Sequence, residues 1–95
     1  MAEVLLSATA VEDLDRMVLT HSLPTDTRAR VRRSLRALER FPLIGRALEG
    51  RWQPFRLVLG PWRWMLILYV YDEQRDTVMV ATIQDAHSST AATAG

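Results

Sequence analysis

Residues 55–88, FRLVLGPWRWMLILYVYDEQRDTVMVATIQDAHS, leave little freedom in how the second half of this chain can fold. Three runs rich in apolar, β-branched and aromatic residues are separated by Gly60-Pro61 and by Asp72-Glu73-Gln74-Arg75-Asp76. Both separators favour turns over regular structure. The pattern predicts three consecutive antiparallel strands over 55–59, 62–71 and 77–86. The middle run is apolar on both faces, as suits a central strand covered by helices.

The first half is helical in period. Val4-Leu5-Leu6 reads as a short strand. Thr9 and Glu12 stand at the spacing of a capping box, opening a helix from Ala10 to about His21 with Val11, Leu14 and Val18 on its apolar face. His21, near that helix's C-terminus, reads as structural, and Asp13 and Asp15 suit the positive end of the dipole. Pro24 disfavours helical geometry in the residue before it. Thr25 or Asp26 caps a second helix that runs to about Arg40 and stops at Phe41-Pro42. On it Val31, Leu35 and Leu38 form the core stripe. Arg28, Arg32, Arg36 and Arg40 repeat every four residues away from that stripe, with Arg33 beside them. The expected class is α+β, in the order β-α-α-β-β-β: a strand at an edge or beside the last one, a helical hairpin over one face, then the meander. Residues 42–53 read as a loop or strand approach. Residues 1–88 form a single domain, and 89–95 a flexible tail with nothing to bury.

A net charge of +1 over 95 residues hides a strong asymmetry. The first 27 residues carry −4, residues 28–63 carry +8, and the remainder −3. All 12 basic residues are arginine, whose planar fork of donors suits phosphate and carboxylate. Like charges four apart destabilise an isolated helix by roughly 0.2–0.5 kcal/mol per pair, a penalty that a negatively charged partner would remove. A solvated basic face is the simpler alternative.

The absence of cysteine excludes disulfides and thiolate metal sites. No apolar run approaches the roughly 18 residues that cross a bilayer. There is no Gly-rich phosphate loop, no His-x-x-x-His pair and no nucleophile–base motif. The expectation is a cytoplasmic protein with no cofactor, no metal and no membrane partner.

The opening strand, the helical hairpin, Leu48-Glu49-Gly50, and Phe55-Arg56-Leu57 leading through Gly60-Pro61-Trp62-Arg63 to Tyr69 together form a recognisable series. It closes on an Asp-rich hairpin and a last strand ending at Asp85-Ala86-His87-Ser88. In order, spacing and total length, over about residues 3–88, the chain resembles the RelE/ParE superfamily of toxins from bacterial type II toxin–antitoxin systems. The resemblance implies growth inhibition and neutralisation by a cognate antitoxin, in a hetero-oligomer. It leaves two targets open. RelE-like members cleave ribosome-bound mRNA without a metal, whereas ParE-like members inhibit DNA gyrase and lack the cleavage residues. A non-toxic basic interaction module is a third possibility.

Metal-free RNA cleavage needs a base for the 2′-hydroxyl, a positive charge for the phosphorane and an acid for the leaving oxygen. By resemblance, Arg63 falls where such nucleases keep a phosphate-binding arginine, and Arg56 where they carry a basic residue on the preceding strand. The two would project near each other if the hairpin closes around Gly60-Pro61. His87 falls near a catalytic basic position, and histidine titrates near neutral pH. Glu49 is the candidate base, or a surface carboxylate paired with Arg46 or Arg51. The nucleic-acid or partner-binding candidates are Arg28, Arg32, Arg33, Arg36, Arg40 and Arg51, with Trp62 and Trp64. Those two tryptophans, like Trp52, could instead fill core or lie under a partner helix. Two departures favour the non-catalytic reading: no terminal tyrosine follows His87, and Asp85 sets a negative charge where RNA would approach.

Overall fold

The computed structural model describes residues 1–88, 91 and 92. It is an α+β fold in which five strands form one sheet in the order β1-β5-β4-β3-β2. The strands are β1 Glu3–Leu6, β2 Arg46–Ala47, β3 Arg56–Leu59, β4 Met65–Asp72 and β5 Thr77–Asp85. The helices are α1 Ala8–Thr20, α2 Thr27–Leu35 and α3 Ala37–Arg40. The meander β3-β4-β5 is antiparallel, as its turn residues predict. β1 runs parallel to β5 and is both beside the last strand and at the sheet edge. The segment after the helices adds a two-residue edge strand, β2, antiparallel to β3.

Alternation along β4 divides the core in two, because successive strand residues face opposite sides of the sheet. Met65, Ile67 and Tyr69 meet Leu14 and Met17 of α1 and Val31, Leu35 and Leu38 of the second helical region. Leu66 and Leu68 point the other way, onto Leu48, Trp52, Phe55 and Leu57. Val31, Leu35 and Leu38 are buried as their period predicts. Truncating Leu35 or Leu38 to alanine would cost about 2–5 kcal/mol.

Three local expectations are corrected. Helix α1 is capped by Ser7, not by Thr9: the Ser7 hydroxyl accepts the Ala10 N–H at 3.1 Å and donates to the Ala81 carbonyl at 2.8 Å. Ala81 is the extra residue of a bulge, since Leu68 pairs with Thr82 and Tyr69 with Val80. The cap therefore answers to a distant strand, and it turns the helix so that Ala10, Leu14 and Met17 are buried while Val11 is exposed. Asp13 strengthens the same junction by accepting from the Thr82 hydroxyl (2.5 Å) and the Ile83 N–H (3.1 Å). The bulge lets Val78, Val80 and Ile83 share one face despite their uneven spacing.

The second helix divides near Arg36, where the Arg36 and Glu39 amides bond three residues back rather than four. The third correction concerns the first hairpin. β4 begins at Met65, so Gly60 to Trp64 is a longer connection, closed by the Gly60 N–H on the Met65 carbonyl at 2.9 Å. Trp62, Arg63 and Trp64 thus stand on a loop, not in the central strand.

Of the expected tail, residues 89, 90 and 93–95 lie outside the described residues. Ala91 is buried against Leu48, Leu66 and Leu68, and the Ala92 N–H donates to the Gln84 side chain at 2.8 Å. Small residues can cover a groove that composition alone does not reveal.

Candidate functional site

The hairpin end of the sheet gathers the chain's two histidines around one carboxylate. Asp85 closes β5, and its side chain stays three-quarters buried while accepting from three directions. Its Oδ1 takes the His87 backbone N–H at 2.9 Å and lies 3.1 Å from the His87 ring Nδ1; its Oδ2 lies 2.9 Å from His21 Nε2. These bonds hold the Asp85 carboxyl below its ordinary value, the His87 N–H contributing most, with burial working against them. On its other side, the His21 ring Nδ1 lies 2.9 Å from the Thr20 hydroxyl.

An aromatic ladder lies against this group. The His21 ring stacks on Trp64 at 4.6 Å between centroids, nearly parallel, and Trp64 stacks on Trp62 at 6.0 Å. The Arg30 guanidinium sits 5.9 Å above the Trp62 ring while bonding Asp26 at 3.0 and 3.1 Å. Such cation–aromatic contacts contribute about 0.5–2 kcal/mol. Trp62 and Trp64 also pack against the helix-side core, and their ring faces are taken up within the ladder, Trp64 by His21 and Trp62, and Trp62 by Trp64 and Arg30.

Arg63 belongs to this end. The Ala86 N–H donates to the Trp64 carbonyl at 2.8 Å, continuing the Met65–Asp85 ladder by one step. Arg63 and His87 each lie two residues beyond the Met65–Asp85 pair, in the turns at that end of the two strands. Arg63 is exposed and has no ion-pair partner among the described residues. Beside it, Arg30, Arg33, Ser34, Asp26 and Pro61 line a shallow cleft of about 380 Å³ between α2 and the loop.

The other site candidates stand elsewhere. Arg56 opens β3 at the end remote from Gly60-Pro61, so the hairpin does not bring it beside Arg63. Its Nη1 donates to the carbonyls of Leu43 (3.1 Å) and Gly45 (2.8 Å). Glu49 is exposed ahead of the 3-10 turn Gly50–Trp52, in the same remote region, and pairs with neither Arg46 nor Arg51. Arg51 lies over Trp52, its guanidinium 5.3 Å from the ring. On the helices, Arg28 is bonded to Asp15 of α1. Arg32, Arg33, Arg36 and Arg40 are exposed with no ion-pair partner among the described residues. Arg32 and Arg36 border a groove of about 570 Å³ against Val4, Leu5 and Leu6 of β1.

Sequence reasoning had set His21 aside and counted Asp85 as a liability. Their pairing spans 64 positions and leaves no periodic trace. The one available signal is Asp85-x-His87, because an Asp side chain readily accepts the backbone N–H two residues on. Arg30 was likewise missed, since only folding sets it over Trp62.

Among the described residues no group of three or more His, Asp or Glu side chains is arranged to hold a metal ion, and no helix is long and apolar enough to cross a membrane.

Solved structures with the same fold were found. The chain is similar to the RelBE2 toxin–antitoxin complex of Mycobacterium tuberculosis, with a TM-score of 0.65 at 24% identity over 88% of this chain and 96% of that one. It is similar to the intact RelBE complex of E. coli, with a TM-score of 0.66 at 15% identity over 93% and 100%. A copper-bound mutant toxin from Helicobacter pylori matches with a TM-score of 0.62 at 21% identity over 96% and 100%. No protein-family model and no curated protein matches the chain. The fold is thus RelE-like, as the resemblance in the sequence implies.

Proposed function

We propose that this chain is the toxin of a toxin–antitoxin pair and that it acts on RNA at the surface carrying Arg63 and His87. One observation supports the reading: two residues beyond the Met65–Asp85 pair stand an arginine with no ion-pair partner among the described residues and a histidine whose ring bonds Asp85. The fold it shares with the RelBE complexes supplies the toxin context and the antitoxin partner.

In this scheme the ribose 2′-oxygen attacks the adjacent phosphorus, forming the P–O2′ bond while the P–O5′ bond breaks. Arg63 neutralises charge on the pentacoordinate phosphorus. His87 gives its proton to the departing 5′-oxygen, and the 2′-hydroxyl proton passes to water. Asp85 keeps the His87 ring in one orientation. Its oxygens are occupied by His21 and His87, while its negative charge remains in place. Glu49 and Arg56, in the remote region, take no part in this scheme.

Induced expression should arrest growth and leave cleaved mRNA. His87→Ala should slow cleavage about 10²–10⁴-fold, and Arg63→Ala about 10²–10³-fold, with the fold intact by circular dichroism. Growth arrest with intact mRNA and DNA-damage signalling, unaffected by either substitution, would replace this scheme with gyrase inhibition. Unaltered growth would remove both toxin readings.

A further inference from the structure

The segment after α3 holds three large apolar side chains in solvent: Phe41 is 61% exposed, Leu43 57% and Ile44 61%. None belongs to either core cluster. With Pro42 and Tyr71 they line an open cup of about 480 Å³. Apolar loops left to themselves fold these groups inward, because burial is worth about 1.5–3 kcal/mol for each large side chain.

Here the backbone is braced so that they cannot turn in. Arg56 bonds the Leu43 and Gly45 carbonyls, and the Gly45 N–H donates to the Tyr69 hydroxyl at 2.9 Å. The Ile44 N–H donates to the Phe41 carbonyl at 3.0 Å. Tyr71, the cup's wall, is fixed by its hydroxyl on Asp76 at 2.6 Å. Polar side chains of β3 and β4 are thus committed to presenting an apolar surface. At the two ends of the segment, Arg40 and Arg46 are exposed with no ion-pair partner among the described residues.

We propose that this cup docks an acidic amphipathic segment of a partner protein, with one or two large apolar side chains in the cup and Asp or Glu against Arg40 and Arg46. Charge argues against a second copy of this chain, since facing cups would bring Arg40 and Arg46 against their own kind. Area argues the same way: three side chains fall well short of the roughly 800 Å² per partner of a standard interface. A single segment in a preformed pocket matches the scale of peptide recognition. The proposal rests on the toxin reading for what the partner is, a neutralising protein, but its test uses binding alone.

The test is a display selection of random peptides, about four helical turns long, against the full chain, with the enriched sequences resynthesised for fluorescence anisotropy. The expected pool is rich in Leu, Ile, Phe or Trp beside Asp or Glu. Phe41→Ser with Ile44→Ser should weaken binding by about tenfold or more. Arg40→Glu with Arg46→Glu should weaken it several-fold and steepen no further with salt. These are surface changes, so the fold is retained. Arg56→Ala, which loosens the brace without touching the cup's walls, should also weaken binding.

No enrichment, a basic pool, or peptides indifferent to Phe41→Ser/Ile44→Ser would overturn the proposal. So would a concentration-dependent dimer, seen by sedimentation, that the same double substitution abolishes. Unaltered growth on expression with intact peptide binding would sink the toxin reading and leave the cup standing; growth arrest without enrichment would do the reverse.

Discussion

At the hairpin end of the sheet, Arg63 reaches solvent with no ion-pair partner among the described residues, while His21, Trp64 and Trp62 stack beside a shared carboxylate. In the region around the start of β3, Arg56 and Tyr69 spend their polar atoms on the backbone of residues 43–45. Both regions combine arginine with aromatic rings. The first leaves a guanidinium for something outside the molecule; the second turns its donors into a brace. Residue type therefore says little about role until one knows whether each donor is already answered. Burial shows the same contrast: Tyr69 is fully buried and its hydroxyl is pushed above its ordinary pKa chiefly by desolvation. Tyr71, two residues on, is raised to about 12 first of all by the Asp76 carboxylate it donates to.

The contrast can be broken from either side. The largest effect is expected from Gly45→Ala. An added Cβ would come within 2.6 Å of the Tyr69 hydroxyl and 2.9 Å of the Leu57 carbonyl, and a backbone carbonyl cannot step aside. A loss of about 3 kcal/mol follows from such overpacking, measurable by urea denaturation, with the His21–Asp85–His87 group unchanged by NMR. Tyr69→Phe comes next. It orphans the Gly45 N–H and should cost about 1–3 kcal/mol, again without disturbing the histidines.

The hairpin end should respond more softly. His21→Ala removes the ring stacked on Trp64 and one bond to Asp85, a loss of about 1 kcal/mol. Because His87 keeps its own bonds to Asp85, the His87 resonances should shift only modestly; a collapse of that end would show that His21 carries it. The smallest effect is a matter of pH. The folded Asp85 carboxyl lies below its ordinary value of 3.8, so its contribution to stability is complete above that value. It is lost as pH falls further, through the folded pKa. Asp85→Asn should lower stability near neutrality by that contribution and flatten the acid limb of the stability curve below about pH 4. An unaltered acid limb would mean that the three donors do not favour the charged carboxylate.

Much of the fold was legible because it rests on local period. Val31, Leu35 and Leu38 recur at helical spacing, and β4 alternates between two cores, so class and meander followed directly. The misplacements share one cause. Ser7 displaced Thr9 as the cap because its hydroxyl also reaches Ala81 on another strand. Trp62 and Trp64 resemble strand residues in composition, yet the Gly60–Met65 bond closes a longer loop and leaves them outside β4.

Legible along the chain alone are the two helical stretches, the three-stranded meander, the core stripe and the concentration of arginine between residues 28 and 63. Periodicity and charge are properties of neighbours along a chain, and neighbours can be read without coordinates. Which arginine is free, which histidine meets Asp85 and which apolar loop stays in solvent were decided only by the tertiary structure. Those outcomes depend on hydrogen-bond partners tens of positions away, and a donor's partner is set by the closing of the sheet, not by the residues beside it.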